Sequence, residues 1–260
     1  RDTDRSRGLG DVYKRQLMEK RKVAIMEKQE AKQLVLETTK RAYAMGLFAG
    51  TSGNLSIYNS AKGEIYITPS STPYETMQAE DIVTIGLEGH VLEGELLPSS
   101  EWRLHTAIYK ARPDAGAVVH THSPYATAYA TMDKPIPIIL VEMLPFIGDT
   151  VKVARFALPG DPAVGTEAVR ALEGRKGCLL QNHGVVAIGE DLPSAVTTAV
   201  YIEDAAKICY LADTAGTSNA SPAKAGPAIS VSEFDASFCL PAEVQPPKAE
   251  TANKADKVCK

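Results

Sequence analysis

Apolar residues recur along this chain at two different periods, and the switches between them mark its elements. From about Met26 to Met45, Val35, Leu36, Ala42 and Met45 fall at helical spacing among charges, which predicts an amphipathic helix stopped at Gly46. Alternation then takes over. Leu55–Tyr58 and Glu64–Thr68 read as strands joined by the turn Asn59–Gly63, and Asp81–Leu87 with His90–Leu92 as a hairpin around Glu88-Gly89. Ser99–Arg112 returns to helical spacing, with Ser99 or Ser100 available as N-cap and Pro113 beyond its end. Ala115–His120 is an apolar strand, and Ser123-Pro124 opens another helix with proline in its first turn. Thr150–Phe156 predicts a strand and Asp161–Leu172 a helix. Cys178–Asn182 and Val185–Ile188 predict strands flanking His183-Gly184, and Asp191 to about Asp213 a long final helix.

Strands alternating with helices from residue 18 to residue 213 predict a single α/β domain. The hairpins favour a central, mostly antiparallel sheet flanked by helices over a doubly wound parallel one. Residues 1–17 are polar, arginine-rich and without apolar periodicity, so they are expected to be a non-native or disordered extension, with a start near Met18 or Met26. Residues 214–260 turn to Ala, Ser, Pro, Thr and Lys, the composition of a largely disordered tail, with Val231–Leu240 as a short candidate for order.

Composition narrows the function classes. A net charge of −4 favours neither nucleic acid nor an anionic membrane surface as partner. No apolar run approaches the roughly 18–20 residues of a membrane span. Four scattered cysteines (Cys178, Cys209, Cys239, Cys259) make neither a disulfide framework nor a CxxC zinc site, and they fit a reducing cytoplasm.

Three of the five histidines carry the chemistry. His120 and His122 end an apolar strand, and residues two apart in a strand point the same way, so both imidazoles can face one ion. Polar rim residues would satisfy the same pattern. His183, where an apolar strand meets a tight turn, reads equally as a ligand or as a buried, hydrogen-bonded histidine. Three imidazoles would hold a divalent ion with positions left open. Glu101 follows Ser99-Ser100 at a helix start, either as an acidic first turn or as a carboxylate beside an anion cradle. Thr51-Ser52-Gly53-Asn54 and Pro69-Ser70-Ser71-Thr72-Pro73 are each a plain turn or a further anion loop, Gly53 permitting close backbone approach. Trp102, Leu104 and Tyr109 read as packing residues. His105, one turn beyond Glu101, reads as core or rim packing, His90 as exposed, and Glu203-Asp204 as a solvated helix face.

Taken in order, GTSGNLS, ITPSSTPYE, PSSEWRLH, VVHTHSPYA and QNHGVVAIG, with these intervals, resemble the class II aldolase/adducin family over roughly residues 28–213. Within the family the motifs look most like those of members that cleave L-fuculose 1-phosphate. The resemblance implies an enzyme that cleaves a ketose 1-phosphate to dihydroxyacetone phosphate and an aldehyde. It implies one Zn2+ per chain (Mn2+ or another divalent ion could substitute) on His120, His122 and His183, with Glu101 as a fourth ligand at rest that swings off as acid and base. It implies substrate phosphate at Gly53, Asn54, Ser70, Ser71, Ser99 and Ser100, and a cytoplasmic homotetramer with sites near subunit boundaries. Two relatives on the scaffold compete: a pentulose-phosphate 4-epimerase, disfavoured by Glu101 where its motif has aspartate, and a methylthioribulose-1-phosphate dehydratase. A non-catalytic adducin-like interaction module is the third class, and such modules lose the metal ligands kept here. The chain also departs from the pattern. Ser70-Ser71 stands for threonine-glycine. IILVEM after Ile136-Pro137 lacks the expected tyrosine, and the tail offers no counterpart of a second, C-terminal one.

Overall fold

A computed structural model describes residues 27–216, so the expectations for residues 1–17 and for the tail from 217 onward lie outside the described residues. Helix α1 (Lys28–Ala44) ends with Gly46 at φ +75, as its sequence predicts. The strands β1 (Asn54–Asn59), β2 (Glu64–Ile67), β3 (Val83–Gly86) and β4 (Val91–Glu93) follow as two hairpins. Then come α2 (Trp102–Ala111), β5 (Ala117–Thr121), α3 (Pro124–Thr131), α4 (Met143–Phe146), β6 (Lys152–Ala154), α5 (Pro162–Ala171), β7 (Gly177–Leu180), β8 (Gly184–Gly189) and α6 (Leu192–Thr214). The one-turn helix α4 and a 3-10 turn at Ala79–Asp81 have too few residues to show a period, and sequence reading passes over both.

The eight strands form one sheet in the order β4-β3-β2-β1-β5-β8-β7-β6. Every pairing is antiparallel except β6 with β7. Both faces are covered, so β3, β5, β7 and β8 are buried throughout, and alternation decides which core their residues enter; only the edge strands β4 and β6 expose side chains fully. Leu55, Ile57, Ala117, Val119, Val185 and Ala187 pack with residues of α1, α3, α4 and α6. Ile65, Ile67, Val118, Cys178, Leu180, Val186 and Ile188 pack with α2 and α5 on the other face. Proline at the first turn starts α3, α5 and α6. Asp161 caps α5 by accepting from the Ala163 amide, and Asp191 forms a capping box with Ser194 on α6.

Two expectations change. Neither Ser99 nor Ser100 caps α2; Glu101 occupies the N-cap, without a side-chain cap, while Ser99 Oγ accepts from the Glu101 amide at 3.3 Å. The backbone turns one residue later than the serines suggest, because the Ser99 amide is committed to Thr68 O and Ser70 to Leu97 O, tying the two serine loops together. Glu203 is not a solvated residue. It reaches across from α6 and accepts from the amides of Tyr125 (3.0 Å) and Ala126 (2.9 Å), the first turn of α3. No helix among the described residues is long and apolar enough to cross a membrane, and Cys178 and Cys209 are buried and unpaired.

Candidate metal centre

His120 lies on the last turn of pleat in β5 and His122 one residue past its end, so their side chains emerge on the same side. His183 comes from the turn between β7 and β8. Asn182 takes the left-handed conformation there (φ +55), which asparagine tolerates, and the His183 amide closes the turn on Leu180 O at 3.0 Å. The pairing of β5 with β8 brings Thr121 opposite Val185, and so joins the two strand ends.

The three rings meet edge to face with centroids 4.7–5.1 Å apart. His120 Nε2 and His122 Nε2 lie 3.0 Å apart, and one nitrogen from each ring falls within 4.8 Å of the other two. His120 Nδ1 donates to Val185 O at 2.9 Å, which fixes its tautomer and turns the Nε2 lone pair inward. Burial holds all three imidazoles below the ordinary histidine range, His183 at about 4, with the neighbouring rings adding to the effect on His120 and His183. His183 Nδ1 is buried without a hydrogen-bond partner. Neutral rings with lone pairs converging and one nitrogen unsatisfied are a donor set that fits a divalent cation.

Gly184 permits this approach. A Cβ there would stand 2.4 Å from the Thr121 carbonyl oxygen and 3.2 Å from His120 Cε1. On the other side, the His122 amide donates to Leu47 O at 3.0 Å, which anchors the chain that leads into the first serine loop.

That loop, Thr51–Asn54, adjoins the centre through the sheet, since Asn54 pairs in register with His120. Gly53 sits at φ +110 with its α-carbon over the Phe48 ring, where a Cβ would collide at 2.4 Å, so glycine is required for two reasons. Tyr74 donates to Gly53 O at 2.7 Å, and Pro69 bridges Pro98, so the loops holding Gly53-Asn54, Ser70-Ser71 and Ser99-Ser100 are held side by side. Ser71 is exposed at φ +56, a backbone conformation in which glycine is at home. Ser71, standing where the resemblance expects glycine, therefore carries backbone strain at this turn.

Glu101 is buried, and its Oε2 has no hydrogen-bond partner. Burial holds its carboxyl above the usual carboxylate range, opposed by the Gly160 backbone. It is not among the groups whose ligand atoms converge with the three histidines. It sits one helical turn before His105, and His105 bonds Asn54, so Glu101 lies on the helix face turned toward the same loop. His105 is more than a packing residue. It is fully buried between Asn54 and Ser56, and Tyr109 adds its hydroxyl to Ser56. Trp102, Leu104 and Tyr109 pack as expected, and His90 is exposed.

Comparison with known proteins gives a consistent set of similarities. The family described as Class II Aldolase and Adducin N-terminal domain matches residues 33–210. A 5-methylthioribulose-1-phosphate/5-deoxyribulose-1-phosphate aldolase of Rhodospirillum rubrum is 38% identical over 173 residues, 66% of this chain and 77% of that protein. A 5-deoxy-D-ribulose 1-phosphate aldolase of Bacillus thuringiensis is 36% identical over 182 residues, 70% of this chain and 85% of that protein. The solved structure of an L-fuculose 1-phosphate aldolase superposes with a TM-score of 0.70 at 37% identity, covering 72% of this chain and 88% of that one.

Proposed function

This chain belongs to the class II aldolase and adducin family, and on that premise we propose that it is a metal-dependent aldolase cleaving a ketose 1-phosphate to dihydroxyacetone phosphate and an aldehyde. The observation that carries the reading is the convergence of three neutral imidazoles, within 4.8 Å of one another, beside the loop that holds Asn54. His120, His122 and His183 would hold the ion, zinc by the all-nitrogen donor set. When bound, it supplies Lewis-acid stabilisation of the negative charge that develops on the dihydroxyacetone half as the carbon–carbon bond breaks.

The chain's own groups do the rest. The phosphate lies on Gly53, Asn54, Ser70, Ser71, Ser99 and Ser100, loops whose mutual hydrogen bonds fix their geometry before substrate arrives. Cleavage between C3 and C4 takes the proton from the C4 hydroxyl, leaves the aldehyde, and returns a proton to C3. Glu101 is the group for that proton, because burial raises its affinity for one and its Oε2 has no other partner. Moved from the position it holds here toward the three imidazoles, it would also serve as a fourth ligand. No lysine Schiff base is required.

The aldehyde half is where relatives differ. Ile138, Ile139, Leu140 and Val141 stand after Ile136-Pro137, so an aldehyde without a hydroxyl, ending in a methyl or thioether group, suits this chain as well as the hydroxylated aldehyde from L-fuculose 1-phosphate. As part of the same proposal the enzyme is a cytoplasmic homotetramer. The exposed Leu97 and Leu158, two residues from Ser99 and Gly160 in sequence, support a subunit contact near the site.

Metal-loaded protein incubated with 5-deoxyribulose 1-phosphate, 5-methylthioribulose 1-phosphate, L-fuculose 1-phosphate and pentulose 5-phosphates should release dihydroxyacetone phosphate from at least one ketose 1-phosphate. Epimerisation or dehydration without that release would overturn the reading. About one divalent ion should bind per chain and be lost in the triple His120, His122, His183→Ala variant, where full occupancy would overturn the ligand assignment.

A further inference from the structure

Behind the loop at Asn54 runs a chain of buried polar side chains that the proposed reaction does not use. His105 on α2 sets Nε2 against Asn54 Oδ1 and Nδ1 2.7 Å from Ser56 Oγ. The Tyr109 hydroxyl lies 2.7 Å from that same Oγ and donates to the Ser56 carbonyl at 3.0 Å. Asn54, Ser56, His105 and Tyr109 are all buried, so water cannot substitute for any of these bonds.

Burial pushes the His105 imidazole down to about 3, so the ring is neutral and carries a single N–H. The position of that one hydrogen decides which way the chain runs. With the hydrogen on Nε2, the ring donates to Asn54 Oδ1 and Ser56 donates to Nδ1. The Asn54 amide nitrogen is then turned away from the ring, free to donate elsewhere. With the hydrogen on Nδ1, the ring donates to Ser56 and the Asn54 NH2 must serve the ring. The asparagine would then offer its loop only a carbonyl oxygen, which repels an anion. Tyr109 favours the first arrangement. Its hydrogen, shared between Ser56 Oγ at 2.7 Å and the Ser56 carbonyl at 3.0 Å, leaves the Ser56 hydroxyl hydrogen free for Nδ1, and the Asn54 Oδ1 that faces the ring needs a hydrogen on Nε2.

We infer that His105 is a positioning residue for substrate phosphate: held in its Nε2–H form by Ser56 and Tyr109, it locks the Asn54 amide with the NH2 group toward the anion. This rests on the reading of Thr51–Asn54 as an anion-binding loop. His105 touches neither substrate nor metal and acts through Asn54 alone.

The test has two arms on the full, metal-loaded chain. In the parent protein, 15N NMR of the imidazole nitrogens, with the His105 signals assigned by their loss in His105→Gln, should show a protonated Nε2 and a bare Nδ1. The reverse tautomer, or a doubly protonated ring, overturns the inference without any variant needing to fold. Separately, titration with dihydroxyacetone phosphate should show His105→Phe, which fills the volume without the bond, weakened about 5- to 150-fold, the range for one buried polar group left unpaired. Metal content should be unchanged, the loss should fall on KM rather than kcat, and His105→Gln, which restores an N–H, should recover part of it. Asn54→Ala separates the two readings. If it binds the ligand as the parent does, the anion-loop reading fails and this inference with it. If it loses the ligand while His105→Phe keeps it, the loop stands and the positioning role falls.

Discussion

Gly184→Ala adds one methyl group where β8 begins, immediately after His183. The backbone there is not left-handed, so the substitution is resisted by space alone. The new carbon would lie 2.4 Å from the Thr121 carbonyl oxygen, 3.2 Å from His120 Cε1 and 3.4 Å from His122 Cδ2. The oxygen belongs to backbone, inside a β5–β8 ladder running from Ala117↔Gly189 to Thr121↔Val185, and cannot rotate aside. Restoring even 3.0 Å requires about 0.6 Å of relative movement between the strand that carries His120 and the turn that carries His183. Metal–ligand distances tolerate about 0.2 Å, so this displacement is too large for the three nitrogens to absorb. Zinc affinity should fall about 10- to 100-fold, the usual consequence of disturbing the support of a ligand. Overpacking should lower stability by about 1–3 kcal/mol, or a Tm drop of roughly 3–10 °C for a chain of this size. Competition against a chromophoric chelator measures the first, and thermal unfolding of metal-free protein the second. Parental zinc affinity in a folded Gly184→Ala protein would refute the argument that the close approach of β8 to β5 sets the histidine spacing.

Further outcomes are expected. Glu101→Gln should lower turnover about 10²–10⁴-fold with metal content intact and stability unchanged or raised, since a buried carboxyl with an unpaired oxygen is replaced; single-turnover assays with thermal melts check both. Glu203→Ala removes two hydrogen bonds to the first turn of α3, just after His122, and should cost about 1–2 kcal/mol after allowance for partial exposure, read by urea unfolding. Hydrogen bonds from Lys28 and Lys32 hold Glu93 down to about 2, so its contribution to stability is present above the ordinary carboxylate range near 4.5 and is lost as pH falls through about 2. Acid titration of Glu93→Gln should show a shallower loss over that window, and an unchanged profile would remove this pair from the account of how α1 is held to β4.

What this sequence determined alone is what depends on near neighbours in the chain. Short apolar runs such as that from Ala115 to His120 set strands, Asp161 and Asp191 beside prolines set helix starts, and Gly46 set a helix stop. His120 and His122, two apart at a strand end, had to emerge on one side wherever the strand lay. The ordered motifs carried the family and, with it, the histidines and Glu101. Tertiary structure decided whatever depends on partners distant in the chain. His120 takes its tautomer from Val185, 65 positions away, and His105 finds Asn54 across 51. Glu203 caps α3 across 78 positions, and nothing local distinguishes it from a solvated glutamate on a long helix. The serines before α2 looked like caps because their side chains suit that role. Backbone bonds from Ser99 and Ser70 to the neighbouring loop claimed them first and moved the cap to Glu101. Local propensity is a preference worth about 1 kcal/mol, and backbone amides that must be satisfied where two loops meet override it.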